Sequence, residues 1–331
     1  MSRGSRRNIR LGEGAEFDMI RRLIDPNMQL PPEVHIGPGD DAAVLEGGWV
    51  ISTDLAVEDV HFRRAWLSDL EIGYRAGAGA LSDLAAMAAN PIGVLVSMAC
   101  PADGDVDIEA VQRGLNEVCK SVGAVVIGGD ISSSPGPLFI DLVALGCTSC
   151  PTLRDGAEPG DEVWVTGVLG ASSAAVSMWH EGAEPSKELR TAFARPAPRV
   201  EAARSLVDKE IVDAMIDLSD GLAGDVGHIA AASGVKITLE KNQVPVAGAA
   251  ASALGADRAL EAALHGGEDF ELCFVADPGL VDTSYFQRCH GLQVTRVGRV
   301  DEGEGVWLRD SDGSTSRVER GGFDHWGISS T

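Results

Sequence analysis

Trp49-Val-Ile-Ser-Thr-Asp54, followed by Ser68-Asp-Leu-Glu71 and a run of small apolar residues to about Ala89, sets the reading of this chain. The first segment is apolar and β-branched, and it reads as a strand that ends on a carboxylate. The second has Ser and Glu three residues apart ahead of an apolar run, which is a capping box opening a helix. Outward from this pair the alternation repeats. Ile92 to Ala99 reads as a strand, and Asp107 caps a helix with Ile108, Val111, Leu115, Val118 and Val122 at helical spacing. Ala124 to Ile127 reads as a buried strand that ends at Gly128-Gly-Asp130, and Leu138 to Leu145 reads as another strand. After a break at Cys150-Pro151 come strands over 162–166, 214–218, 235–240 and 270–276, and a helix from Leu222 to about Ala232. Arg195-Pro-Ala-Pro198 reads as a loop between two helices. The expected class is α+β (α/β-like) in two domains, 1–150 and 151–331.

The 331 residues allow two domains with substantial cores. Fifty acidic residues against 27 basic ones give a net charge of −23, which makes nucleic acid and anionic membranes poor partners. No stretch approaches the ~20 apolar residues of a membrane span, and the basic start is followed by polar residues rather than a signal core. The six cysteines fall mostly in apolar runs, and Cys147-x-x-Cys150 lacks a second pair for zinc, so a reducing cytoplasm is expected.

The chemistry sits in aspartates beside glycines and strands: Gly37-Pro-Gly-Asp-Asp41, Ser52-Thr-Asp54, Leu81-Ser-Asp83, Gly128-Gly-Asp130, Asp217-Leu-Ser-Asp-Gly221 and Gly266-Gly-Glu-Asp269. Any one of them is ordinary as a turn or cap. Gathered at strand ends, they would repel one another unless cations neutralise them, and magnesium suits carboxylate oxygens and substrate phosphates. No Walker loop and no G-x-G-x-x-G fingerprint is present. Asp103-x-Asp105-x-Asp107 begins like an EF-hand but has Ile108 and Gly114 where Gly and Glu are needed.

In this order the segments resemble the thiamine-monophosphate kinase family, a branch of the superfamily that includes aminoimidazole ribonucleotide synthetase. The likeness runs from Gly14-Ala-Glu-Phe-Asp-Met-Ile20 to Gly322-Phe-Asp-His-Trp326, and includes Arg154 to Asp161, Val165 to Gly170 and Arg195 to Arg199. The resemblance implies a homodimer in which the N-terminal sheets form a shared β-barrel, each beside a C-terminal α+β domain. It implies transfer of the ATP γ-phosphoryl group to thiamine monophosphate with Mg²⁺. Asp41, Ser52, Thr53, Asp54, Asp83, Asp130, Asp217 and Asp220 are the implied metal set. Gly129, Asp130, Arg154 and Ser219 are the implied ATP contacts, and His61, Glu268 and Phe323 the implied acceptor contacts. No general base is expected, because the acceptor is already an anionic oxygen.

Three positions depart from the family pattern. Ala80 stands where Asn is common, Ile131-Ser-Ser133 where Thr-Thr-Arg is common, and Arg75 where Lys is common. A selenophosphate-synthetase-like enzyme would need a reactive N-terminal Cys, but the first is Cys100. A hydrogenase-maturation relative would need a C-terminal Cys, and the sequence ends Gly327-Ile-Ser-Ser-Thr331. Two alternatives are a related ATP enzyme with another acceptor and a catalytically silent acidic protein.

Overall fold

The computed structural model describes residues 7–12, 15–25, 27–102 and 105–318. Its first half runs α1 (Ala15–Leu23), β1 (Val34–Ile36), β2 (Ala43–Leu45), β3 (Trp49–Val57), α2 (Asp69–Ala86), β4 (Asn90–Pro101), α3 (Ile108–Ser121), β5 (Val125–Ser134) and β6 (Phe139–Cys147). The second half begins with β7 (Glu162–Thr166), α4 (Ala171–His180), α5 (Lys187–Ala194), α6 (Val200–Asp208), β8 (Val212–Asp217), α7 (Leu222–Ser233) and β9 (Lys236–Glu240). It continues with α8 (Gly248–Leu254), α9 (Ala256–His265), β10 (Leu272–Ala276), α10 (Thr283–His290), β11 (Val294–Asp301), β12 (Gly305–Arg309) and β13 (Thr315–Arg317). This is a two-domain α+β architecture on two mixed sheets, ordered β1-β2-β3-β6-β4-β5 and β13-β12-β9-β11-β7-β10-β8. The first sheet is open, with β1 and β5 at its edges.

Helix α2 joins the halves. Its capping box forms as the sequence predicts, with Ser68 accepting from the N–H of Glu71 and Glu71 accepting in return. The helix ends at Ala86 rather than near Ala89, because Ala88 turns to φ 50° before β4 begins. Leu81 and Leu84 pack in the core beneath the first sheet, while Ala85 belongs to a core on the second sheet with Met215 and Phe274. The central strands of that second sheet are buried on both faces. Val163, Ile216 and Val275 face α7 and α9, and Trp164, Met215 and Phe274 face the side of α6 and α10. Its central strands therefore read as unbroken apolar runs instead of alternating ones.

Two strand readings need correction. Asp54 does not end its strand: β3 continues to Val57 and pairs with β6 throughout. Ser52, Asp54 and Ala56 turn toward the core side, while Trp49, Thr53 and Leu55 point the other way. Gly128-Gly129-Asp130 does not end a buried strand either. It lies in the middle of β5, an exposed edge strand paired in parallel with β4. A Cβ on Gly129 would stand 1.8 Å from the Val96 carbonyl oxygen, so glycine is what lets the two backbones meet there. Among the described residues no helix is long and apolar enough to cross a membrane.

Candidate active site

Three carboxylates from three parts of the chain converge beside α2. Asp41 comes from the turn before β2, Asp83 from α2, and Asp217 from the last position of β8, and their ligand atoms lie within 4.8 Å of one another. The Ser52 hydroxyl is hydrogen-bonded to the Asp83 carboxylate and lies 3.1 Å from the Asp41 carbonyl oxygen. Asp54 lies against α2 at Gly79, where a Cβ would come within 2.6 Å of its carboxylate. The last turns of α2 thus present one carboxylate and make room for another.

Burial makes the cluster electrostatically tense. Burial first, then Asp217, Asp54 and Asp41, drives Asp83 well above the usual carboxylate range. Burial and then Asp41 push Asp217 up to about 7, and burial pushes Asp54 up to about 6 against the pull of Arg75. A set of hard oxygen donors that resists ionisation on its own fits a small divalent cation such as magnesium.

Arg154 supplies the positive charge found there. Its Nη2 donates to Asp41 at 2.6 Å and its Nε to the other Asp41 oxygen at 3.2 Å. Burial works against the guanidinium charge, but Asp41 more than offsets it, so the group is held more firmly protonated than a free Arg. Asp40 holds the same segment by accepting the Arg154 backbone N–H at 3.1 Å. Its pKa is raised to about 7, by burial and then by Asp41.

Next to the carboxylates is a cavity of about 270 Å³. Thr53, Asp54, His61, Asp83, Asp217, Ser219, Asp220 and Glu268 line it, together with Arg75 and Phe270. Thr53 also hydrogen-bonds Asp141 on β6 at 3.2 Å. His61 accepts the Val57 N–H on Nδ1, so the neutral ring carries its proton on Nε2. Glu268 sits at φ 66°, with its N–H donated to the Ser219 carbonyl at 2.7 Å. This hydrogen bond pins the 266–270 loop against the β8–α7 junction.

Gly129 and Asp130 stand apart from this cavity. Asp130 shares a row across the first sheet with Ser97, Asp141 and Leu55. Three strand spacings therefore separate it from β3, about 14 Å. Both residues line a different, wider cavity of about 1030 Å³ between β5 and α3. Phe323 lies outside the described residues.

Beside Asp220, which the sequence reading names, lie two residues that it passes over, Asp225 and His228. Asp220, Asp225 and His228 form a second group within 4.8 Å, in which Asp225 accepts the N–H groups of Asp220 and Gly221 at the start of α7. Burial lowers the His228 pKa to about 3, so this imidazole is neutral. Asp225 and His228 interrupt the buried apolar stripe of α7, which is the signal that marks them.

The chain matches the AIR synthase related protein N-terminal domain over residues 39–148 and the C-terminal domain of the same family over 158–310. It is 36% identical to a thiamine-monophosphate kinase of Rhodopirellula baltica over 89% of this chain and 92% of that protein. The chain belongs to the thiamine-monophosphate kinase family. A member from Mycobacterium tuberculosis is 38% identical over 78% of this chain and 80% of its own length. The solved structure of AaThiL complexed with AMPPCP and TMP superimposes with a TM-score of 0.80 at 30% identity, covering 95% of this chain and 97% of that one. The features shared with this family therefore include the fold of both halves and not a single motif.

Proposed function

We propose that the protein transfers the γ-phosphoryl group of ATP directly to the phosphate of thiamine monophosphate, giving thiamine diphosphate and ADP. The observation that carries this reading is the convergent Asp41–Asp83–Asp217 cluster opening onto a small cavity with His61 and Glu268 on its wall. Family relatives with that activity name match over most of their length. We assign residues 1–150 to ATP and metal binding and dimerisation, and 151–331 to completing the site.

Asp41, Ser52, Thr53, Asp54, Asp83, Asp217 and Asp220 would hold magnesium beside the smaller cavity, and Asp130, about 14 Å away across the sheet, would hold a further ion at the wider one. Bound there, magnesium neutralises phosphate charge between two anionic substrates. The protein's own part is positioning. Arg154 and Ser219, with the backbone at Gly129 and the Asp130 carboxylate, hold ATP. His61, Glu268 and Phe323 orient the acceptor. The attacking phosphate oxygen is already ionised, so the reaction needs no general base, and holding the two substrates in line is what remains for the protein to do. The setting is the cytoplasm, in keeping with the described cysteines all being free thiols.

The test is ADP release by purified protein with ATP and Mg²⁺, with and without thiamine monophosphate. Turnover that requires thiamine monophosphate, yields thiamine diphosphate and collapses in Asp130→Ala is the expected result. ATP turnover indifferent to thiamine monophosphate would instead favour a related enzyme with another acceptor, a reading to which Ile131-Ser-Ser133 gives some support.

The partner is a second copy of the chain. The outward face and edge of the first sheet leave Leu55 48%, Leu95 42%, Val125 58% and Ile127 49% exposed, a patch that a like sheet would cover in a shared barrel. Sedimentation of the wild type should give a dimer, and Leu55→Glu combined with Leu95→Glu a monomer. A monomeric wild type at micromolar concentration refutes the arrangement.

A further inference from the structure

Arg75 is the cation that lines the acceptor cavity, and its side chain is only 5% exposed. It rises from α2 among glycines and alanines. One guanidinium reaches three separate segments. Nη1 donates to the Phe193 carbonyl at 2.6 Å, Nη2 is ion-paired with Glu268, and Nε points at the His61 carbonyl at 3.4 Å. The plane also stacks on the Phe193 ring, 3.7 Å from its centroid.

That ring is itself held. Phe193 meets Trp179 edge-on at 5.5 Å, and Trp179 stacks on Trp66 at 5.1 Å with planes 8° apart. The aromatic column fixes the guanidinium, and the guanidinium fixes the two acceptor-facing residues. Glu268 needs such a hold, because its φ of 66° is unfavourable for a residue with a Cβ.

We propose that Arg75 is a positioning residue for the acceptor. Its planar fork ties Glu268, the His61 loop and Phe193 into one wall, and so sets the affinity for thiamine monophosphate and not that for ATP. This rests on the kinase reading given above. A lysine's three N–H donors diverge from one nitrogen, so they cannot span the three separated acceptors that the planar fork reaches. The Arg at this position therefore brings α5 into the acceptor site through Phe193.

The test separates the two substrates. Arg75→Met should raise the KM for thiamine monophosphate by about tenfold to a hundredfold, the effect of removing a charge-assisted contact. The KM for ATP should stay within about threefold. Glu268→Gln should act in the same direction, and the double variant should be much less impaired than the product of the two single effects, as for groups in contact. Arg75→Lys should show a smaller rise, about threefold to tenfold, since charge returns without the fork. Thermal unfolding is followed for every variant. If Arg75→Met does not fold, Arg75→Lys and Phe193→Leu carry the comparison with the same expected split.

Equal rises in both KM values, fully multiplicative losses in the double variant, or an unchanged acceptor KM in Arg75→Lys overturn the proposal. A wild type that does not turn over thiamine monophosphate refutes the kinase reading instead. Calorimetric titration of thiamine monophosphate into wild type and variant then still reads the role of Arg75 on its own.

Discussion

Asp83→Asn is expected to lose activity by on the order of a hundredfold to a thousandfold, the scale of removing one electrostatic contact to a reacting phosphate. The same variant should unfold at a higher temperature than the wild type in EDTA. Both results have one cause. Asp83 lies within 4.8 Å of Asp217 and Asp41, and its pKa is driven up by desolvation and by those carboxylates together with Asp54. An amide can still accept from the Ser52 hydroxyl but carries no charge to repel its neighbours. Removing one charge from such a cluster stabilises by about 0.5–2 kcal/mol, as other site-relieving changes do. The pairing of lost activity with gained stability is what distinguishes a functional cluster from a structural one. If Asp83→Asn keeps more than a tenth of wild-type activity, or unfolds earlier in EDTA, this account of the cluster fails.

The second large effect is in the pH and magnesium dependence of stability. Burial is the first cause of the raised pKa values of Asp40, Asp217 and Asp269, each about 7, and of Asp54, about 6. A group that holds its proton more tightly in the folded state stabilises the fold below its unfolded pKa. That contribution is lost as pH rises through the folded value. In EDTA the protein should therefore unfold at a lower temperature at about pH 8 than at about pH 6, the interval through which these four groups ionise. Magnesium at about a hundred times its dissociation constant should return about 2.7 kcal/mol at the higher pH, a rise of several degrees. Scanning calorimetry with EDTA or magnesium at both values checks this. Asp83→Asn should show a flatter pH dependence and a smaller response to the metal. A wild type whose stability in EDTA falls on acidification over that range, or ignores magnesium, contradicts the prediction.

Local chemistry was legible wherever the signal was local. Ser68 and Glu71 announce the start of α2, and Asp107 caps α3 by accepting from Ala110, as the spacing predicts. The path of β3 was harder to read, because Ser52-Thr53-Asp54 are three polar residues in a row. Two of them turn toward the core side and one away, and the strand persists on the pairing of Leu55 to Val57 with β6. The apolar start of β5 misled for a different reason. Val125 and Ile127 are as hydrophobic as core residues but lie at an exposed sheet edge, and hydropathy does not say what covers a strand. Contacts between distant positions left no trace in any motif. Arg154 and Asp41 are 113 residues apart, and Arg75 and Phe193 are 118 apart. Arg75 did carry one signal, as the one basic residue on a helix of small residues.

Helices α2 and α3 meet through glycines. A Cβ on Gly73 would stand 1.9 Å from the Val111 carbonyl oxygen, and one on Gly114 would stand 1.9 Å from that of Leu70. The two backbones therefore touch almost directly, and even alanine would force them apart. Helix α2 carries one wall of the smaller cavity and α3 one wall of the wider one. The spacing between the two sites is thus set by main chain on main chain, like a fixed gauge block. Amides along this seam should exchange with deuterium among the last in the molecule. Sequence drift on either cavity's surface can then retune what is bound without moving the cavities relative to each other.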